Sequence, residues 1–312
     1  MTLPFPGARA AGDGTDAVTN DADSADPVDD ADAADYLVVG APLDATTTFE
    51  PGTRFGPERV RRFARTFDDY DRRTDSRFSE AAVHDAGDVP AWDDVPAYLD
   101  HLTAELRAAA IDDAVPLAVG GEHTVTWAGV RATEPDVLVV LDAHLDLREA
   151  YDGNPLSHAC VVRRCLDGGP DGNHADGRRD DADHHTVDEV VVVGARTGSR
   201  EEWERAGADD VTVVPPEDAG EWSELAPDLD GRDVYLSVDV DGADPGFAPG
   251  TGTMEPFGLH PCEMRDVVRG VAGRCVGFDV VEVNDRDDGQ AAALAGKLLR
   301  EFVLSHRADS NR

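Results

Sequence analysis

The chain predicts an α/β fold, a mostly parallel central sheet with helices on both faces, and two observations carry that prediction. Short, continuously apolar runs recur along it, and helix-compatible stretches separate them. Runs that do not alternate apolar with polar residues bury both faces of a strand, as happens when crossover helices cover each side of a parallel sheet.

Taken in order, residues 1–34 hold Asp, Ala, Gly and Thr with almost no large apolar side chain. Burial there cannot offset the entropy of ordering, so an acidic disordered tail is expected. The texture changes at Tyr36: YLVVGAP is the first strand-like run, followed by PLAVGG, DVLVVLDAH, EVVVVGAR, DVTVVP, DVYLSVDVD and CVGFDVVEV. DDVPAYLDHLTAELRAAAI and GQAAALAGKLLREFVL read as helices. Residues 35–306 are therefore expected to form one domain. A polar surface insertion is expected at about 167–189, where glycine and charge dominate and His174, His184 and His185 lack regular ligand spacing.

With 65 Asp plus Glu against 28 Lys plus Arg, the formal net charge is −37. Such a charge keeps a protein soluble but self-repelling, a balance that salt restores by screening, so a halophilic source and a salt-adapted cytoplasm are expected. Nucleic acid and anionic membrane surfaces are excluded as partners, because both require a basic patch. No apolar stretch approaches the length of a bilayer span, and the N-terminus lacks the pattern of a secretory signal. Cys160, Cys165, Cys262 and Cys275 form no CxxC pair and read as ordinary packed or surface thiols.

In open parallel sheets, functional groups gather at the carboxyl ends of the strands. PLAVGGEH ends in His123, and LVVLDAHLD sets Asp142, His144 and Asp146 at alternate positions, which extended backbone projects to one side. VYLSVDVDGADP adds Asp239 and Asp241, with Asp244 before Pro245 read as a turn-maker, and VGFDVVEVND carries Glu282. Carboxylates and imidazoles without thiolate suit Mn²⁺, with Fe²⁺, Co²⁺ or Ni²⁺ also fitting, and suit Ca²⁺ poorly. So many ligands exceed the needs of one catalytic ion and suit two, which lower the pKa of a water between them; the implied chemistry is hydrolysis.

GGEH at Gly120–His123, DAHLD at Asp142–Asp146 and SVDVDGADPGFAPGTGT at Ser237–Thr253 resemble the three signatures of the ureohydrolase family, which includes arginases and agmatinases. EPGTRFGPERVR from Glu50 resembles its N-terminal region, and the likeness runs from about Tyr36 to Leu304. This resemblance implies a three-layer α/β/α sandwich of arginase-like type, two Mn²⁺ per subunit, and a homo-trimer or homo-hexamer. It assigns His123, Asp142, Asp146 and Asp239 to one ion, and Asp142, His144, Asp239 and Asp241 to the other. His158, in NPLSHAC, is implied as a proton shuttle and Glu282 as the group that grips a guanidinium.

The implied substrate is a small cationic guanidine, and agmatine, giving urea and putrescine for polyamine biosynthesis, is favoured over arginine. Gly194-Ala-Arg196 continues into Thr197, Gly198 and Ser199 where arginases carry an acidic pair, and EAYDGNPLS lacks their Thr/Ser-rich run. Asp152, Asn154 and Thr253 are the further substrate contacts expected. Met254 and Phe257 stand where the family has Pro and Gly, which points to a reshaped loop. Arginine, guanidinobutyrate and aminopropylated agmatine are alternatives. Formiminoglutamate is another, and would need a basic clamp from Arg148 and Arg163. A non-catalytic assembly subunit would have lost ligands, and all six are retained.

Overall fold

The computed structural model describes residues 3–10, 34–169, 186–225 and 228–310. Its strands are β1 (Arg9–Ala10), β2 (Tyr36–Ala41), β3 (Tyr70–Asp71), β4 (Ser76–Arg77), β5 (Val83–Asp88), β6 (Val115–Gly120), β7 (Val137–Leu141), β8 (Glu189–Val193), β9 (Val211–Val214), β10 (Val234–Asp239) and β11 (Cys275–Val281). Its helices are α1 (Gly56–Ala64), α2 (Val95–Ile111), α3 (Val125–Thr133), α4 (Val161–Asp167), α5 (Arg200–Arg205), α6 (Trp222–Leu225), α7 (Pro261–Val271) and α8 (Gln290–Ser310).

Nine strands form one parallel sheet in the order β1-β5-β2-β6-β11-β10-β7-β8-β9, while β3 and β4 make a small antiparallel pair. The apolar runs divide between two cores as a period of two requires. Val38, Leu117 and Val139 join α1, α7 and α8 on one face, and their neighbours Val39, Ala118 and Val140 join α2, α3 and α4 on the other. This is the expected three-layer α/β/α sandwich.

Two sequence expectations are corrected here. Residues 3–10, read as part of the tail, pack onto the sheet: Phe5 is fully buried against Phe78, and β1 pairs with β5. The anchor is Asp85, whose carboxylate accepts the Phe5 N–H at 2.6 Å and two N–H groups of Arg61 at 2.8 Å. β5 itself, VHDAGD, went unread because its polar residues hide the strand signal; burial of Asp85 depends on a cation that only the fold supplies. The rest of the expected tail, 11–33, and most of the expected insertion, 170–185, lie outside the described residues. The insertion's margins are structured: Asp167 closes α4, and Val187 is buried with its N–H on the Cys165 carbonyl.

Among the described residues no helix is long and apolar enough to cross a membrane. Cys160, Cys165 and Cys275 are buried and Cys262 exposed, all as free thiols. The strands whose ends carry the candidate residues are consecutive in the sheet, β6-β11-β10-β7, so their polar termini meet without long excursions. Gly121 makes the closest approach possible: a Cβ there would lie 1.8 Å from the Leu43 carbonyl oxygen.

A candidate metal centre at the strand ends

Two groups of ligand atoms form, and Asp142 belongs to both. His123 Nδ1 lies 3.1 Å from Asp142 Oδ2, 3.1 Å from Asp146 Oδ2 and 3.3 Å from Asp239 Oδ2. His144 Nδ1 lies 3.4 Å from Asp142 Oδ1 and 3.1 Å from Asp241 Oδ2. Asp239 Oδ2 faces His123 in the first group, and its Oδ1 accepts the Asp241 N–H at 2.8 Å.

The backbone explains this convergence better than simple strand alternation. β7 ends at Leu141; Asp142 continues its ladder through an N–H bond to the Val193 carbonyl, and His144 stays extended in a bridge to Thr197. Asp146 instead reaches the site from a left-handed conformation, φ 49°. Such strain in a non-glycine residue is characteristic of functional sites. Thr253 Oγ1, donating to Asp241 Oδ2 at 3.2 Å, holds a carboxylate in place.

The electrostatics are those of a cluster that needs a cation. Burial opposes charge on the His144 ring, yet Asp241 and Asp142 outweigh it and push its pKa up to about 12. Burial, together with repulsion from Asp142, raises the Asp146 carboxyl to about 6. Asp142, although buried, is held well below the usual carboxylate range by the two imidazoles. His123 Nδ1 and Asp142 Oδ2 are buried without a hydrogen-bond partner, and their 3.1 Å approach lacks hydrogen-bond geometry. Lone pairs that converge in this way fit a divalent cation, and the donor set is all nitrogen and carboxylate oxygen.

Glu282 joins this centre to a second device. It sits just beyond β11 at φ 61°, and its Oε1 accepts the His123 N–H at 2.8 Å and faces His158 Nδ1 at 2.9 Å. Its Oε2 is buried and unpaired. The Thr48 N–H donates to His158 Nε2 at 2.9 Å, so the ring as placed carries its proton on Nδ1. Burial opposes charge on this ring too, but the Glu282 carboxylate raises its pKa to about 9.

A cavity of about 310 Å³ opens over these groups, its wall including His144, Asp146, His158, Thr253 and Glu255. Three expected substrate contacts are not among the wall residues: Glu282, which is buried, and Asp152 and Asn154. Asp152 is the exposed tip of a turn at φ 48°, and Asn154 closes the same turn, its Oδ1 accepting the Leu156 N–H. Thr197, Gly198 and Ser199 do line the cavity, as does Arg148, which pairs with Glu202 at 3.1 Å. Arg163 is turned away onto Asp167. Asp244 makes turns, as read, accepting N–H groups of Gly246, Phe257 and Gly258.

Sequence reasoning missed the loop at Thr46–Thr48. Glu122, fully buried, accepts the Thr46 N–H at 2.8 Å and the Thr46 and Thr47 hydroxyls, and burial raises its pKa. That tether sets Thr48 against His158. The run ATTTFE beside GGEH offered no periodic signal for it. Arg196 was likewise unassigned: its guanidinium binds the carbonyls of Asp241, Gly242, Ala243 and Glu255, fastening the loop after Thr253 to the ligand strand.

The chain resembles known proteins over most of its length. The chain is 34% identical over 280 residues to an agmatinase of Bacillus cereus, covering 86% of this chain and 90% of that protein. It is 33% identical over 281 residues to an N(1)-aminopropylagmatine ureohydrolase of Thermococcus kodakarensis, covering 88% and 91%. Among solved structures, the agmatine ureohydrolase of Thermoplasma volcanium superposes with a TM-score of 0.78 at 32% identity, covering 92% of this chain and 94% of that one. The Arginase family model matches residues 34–305, and the chain belongs to that family.

Proposed function

We propose that this protein hydrolyses the guanidinium group of agmatine to urea and putrescine, using two Mn²⁺ held by His123, Asp142, Asp146 and Asp239 and by Asp142, His144 and Asp241. One observation carries the reading: two ligand groups share Asp142, and Glu282, bonded to the His123 N–H, keeps a buried and unpaired Oε2. Once bound, the two ions supply a nucleophile from water at neutral pH.

The chain's own residues do the rest. Glu282 Oε2 accepts a guanidinium N–H while its Oε1 is held by the His123 N–H and His158, so the carboxylate cannot rotate away. Hydrolysis breaks one C–N bond, leaves the water oxygen in urea and requires a proton on the departing amine. His158, protonated at Nε2, gives that proton, and the Thr48 N–H then takes the vacated lone pair, the arrangement seen here.

A cationic tail suits the cavity better than an α-carboxylate. Arg148 is occupied by Glu202, and the remaining charged wall residues named above are acidic or imidazole. The same feature disfavours formiminoglutamate, since Arg163 lies away from the cavity wall. The reading extends to a homo-trimer or homo-hexamer in a salt-rich cytoplasm. Phe49 and Phe257, 82% and 88% exposed and close in sequence to wall residues Thr48 and Glu255, support burial against another copy.

The test is urea release in high salt with Mn²⁺ from agmatine, arginine, guanidinobutyrate and N(1)-aminopropylagmatine. Urea from agmatine in preference to the others is the expected result. Preference for another guanidine would overturn the substrate, and no urea from any would overturn the activity.

A further inference from the structure

Behind the ligand groups lies a buried carboxylate that the reaction does not touch. Asp279, on β11, is fully buried, and its Oδ1 accepts the Ser237 hydroxyl at 2.6 Å. Ser237, on β10 and also fully buried, places the same oxygen 3.2 Å from His123 Nε2 and 3.1 Å from the Thr126 hydroxyl. The two strands are adjacent, with Ser237 registered directly opposite Asp279.

The direction of this thread follows from counting protons. A serine hydroxyl has one, and here it goes to Asp279. Its oxygen must therefore accept from His123, so the imidazole carries its proton on Nε2. That leaves Nδ1 with a free lone pair, and Nδ1 is the atom that faces Asp142, Asp146 and Asp239. Which nitrogen of a histidine can ligate is fixed by the hydrogen bond its other nitrogen makes.

We infer that Asp279, acting through Ser237, is a positioning residue that fixes the His123 tautomer and ring orientation for the ion in the Asp146 group. The inference rests on the two-ion reading above. It predicts that the affinity of one ion depends on a carboxylate that does not itself ligate. Removing such an outer partner lowers affinity by roughly 10- to 100-fold.

The experiment is titration of the metal-stripped protein with Mn²⁺, followed by calorimetry and by electron paramagnetic resonance, for wild type, Ser237→Ala, Asp279→Asn and the double variant. Each single variant is expected to weaken one Mn²⁺ by about 10- to 100-fold and to delay the spin-coupled signal, while the other ion shifts less. The double variant is expected to lose less than the sum of the two single variants, because hydroxyl and carboxylate act on the same imidazole. Circular dichroism melting of the stripped proteins separates misfolding from weakened binding, since Asn and Ala each fit the space of the residue replaced. Dissociation constants within threefold of wild type for both ions in both single variants would overturn the inference. So would losses that add in the double variant. A wild type that binds no second ion would overturn the two-ion reading and this inference together, an outcome distinct from normal wild-type binding with unaffected variants.

Discussion

Glu282→Gln separates a functional role for this residue from a structural one. The glutamine carbonyl retains both bonds now made by Oε1, to the His123 N–H and to His158 Nδ1. Its amide nitrogen takes the place of Oε2, which has no partner to lose. One of the carboxylates that raise the Asp239 pKa also disappears. Stability is therefore expected to stay within about 1 kcal/mol, or about 2 °C in Tm for a chain of this size. Turnover is different. A hydrogen bond from a guanidinium to a carboxylate is worth about 1.5–3 kcal/mol, so kcat/KM for agmatine should fall roughly 10- to 150-fold. The pH profile moves as well. Glu282 is the main influence holding the His158 pKa near 9, and if protonated His158 delivers the proton, wild-type activity is lost as pH rises through that value. Without the carboxylate the loss begins at lower pH. Steady-state urea assays from pH 6 to 10, beside thermal melts, decide the matter. A variant within threefold of wild type in kcat/KM with an unmoved profile would refute the reasoning, as would a large fall in Tm that accounts for the lost activity.

Three further outcomes follow. Asp142→Asn removes the carboxylate common to both ligand groups, so Mn²⁺ content measured by atomic absorption should drop for both ions, whereas Asp146→Asn should spare the His144 group. Arg61→Leu leaves Asp85 buried without its cation and should cost about 3–5 kcal/mol in urea unfolding; a cost under 1 kcal/mol would show that the Phe5 N–H and solvent suffice. His306, half-buried beside Phe302 and bonded through Nδ1 to the Tyr36 hydroxyl at 2.9 Å, has its pKa lowered by burial despite a hydrogen bond to the Cys275 backbone and nearby Asp309 and Asp35. A depressed folded pKa gives stability that is present above the unfolded value, about 6.5, and lost as pH falls through the folded one. Melting temperature should then decline more steeply below that pH in wild type than in His306→Gln, and parallel curves would count against it.

The candidate metal centre was legible in the sequence because its residues follow apolar runs directly. A strand buried on both faces announces itself by composition, and what stands at its carboxyl end is then placed to within a residue or two, as with His123, Asp142, His144, Asp239, Asp241 and Glu282. The two cores follow equally from the period of two that sends Val38 and Val39 to opposite faces. Tertiary structure decided what depends on a distant partner. Asp152 and Asn154 resemble substrate contacts in one dimension but are spent on a turn. Phe5 and β5 are ordered by Arg61, reaching Asp85 from a helix on another part of the chain. Thr46–Thr48 matter because Glu122 holds them, and Asp279 matters because β10 lies beside β11. Local patterning encodes which face of an element is buried; which polar group meets which across the sheet is a property of strand order and register, and no periodicity in a single chain records that.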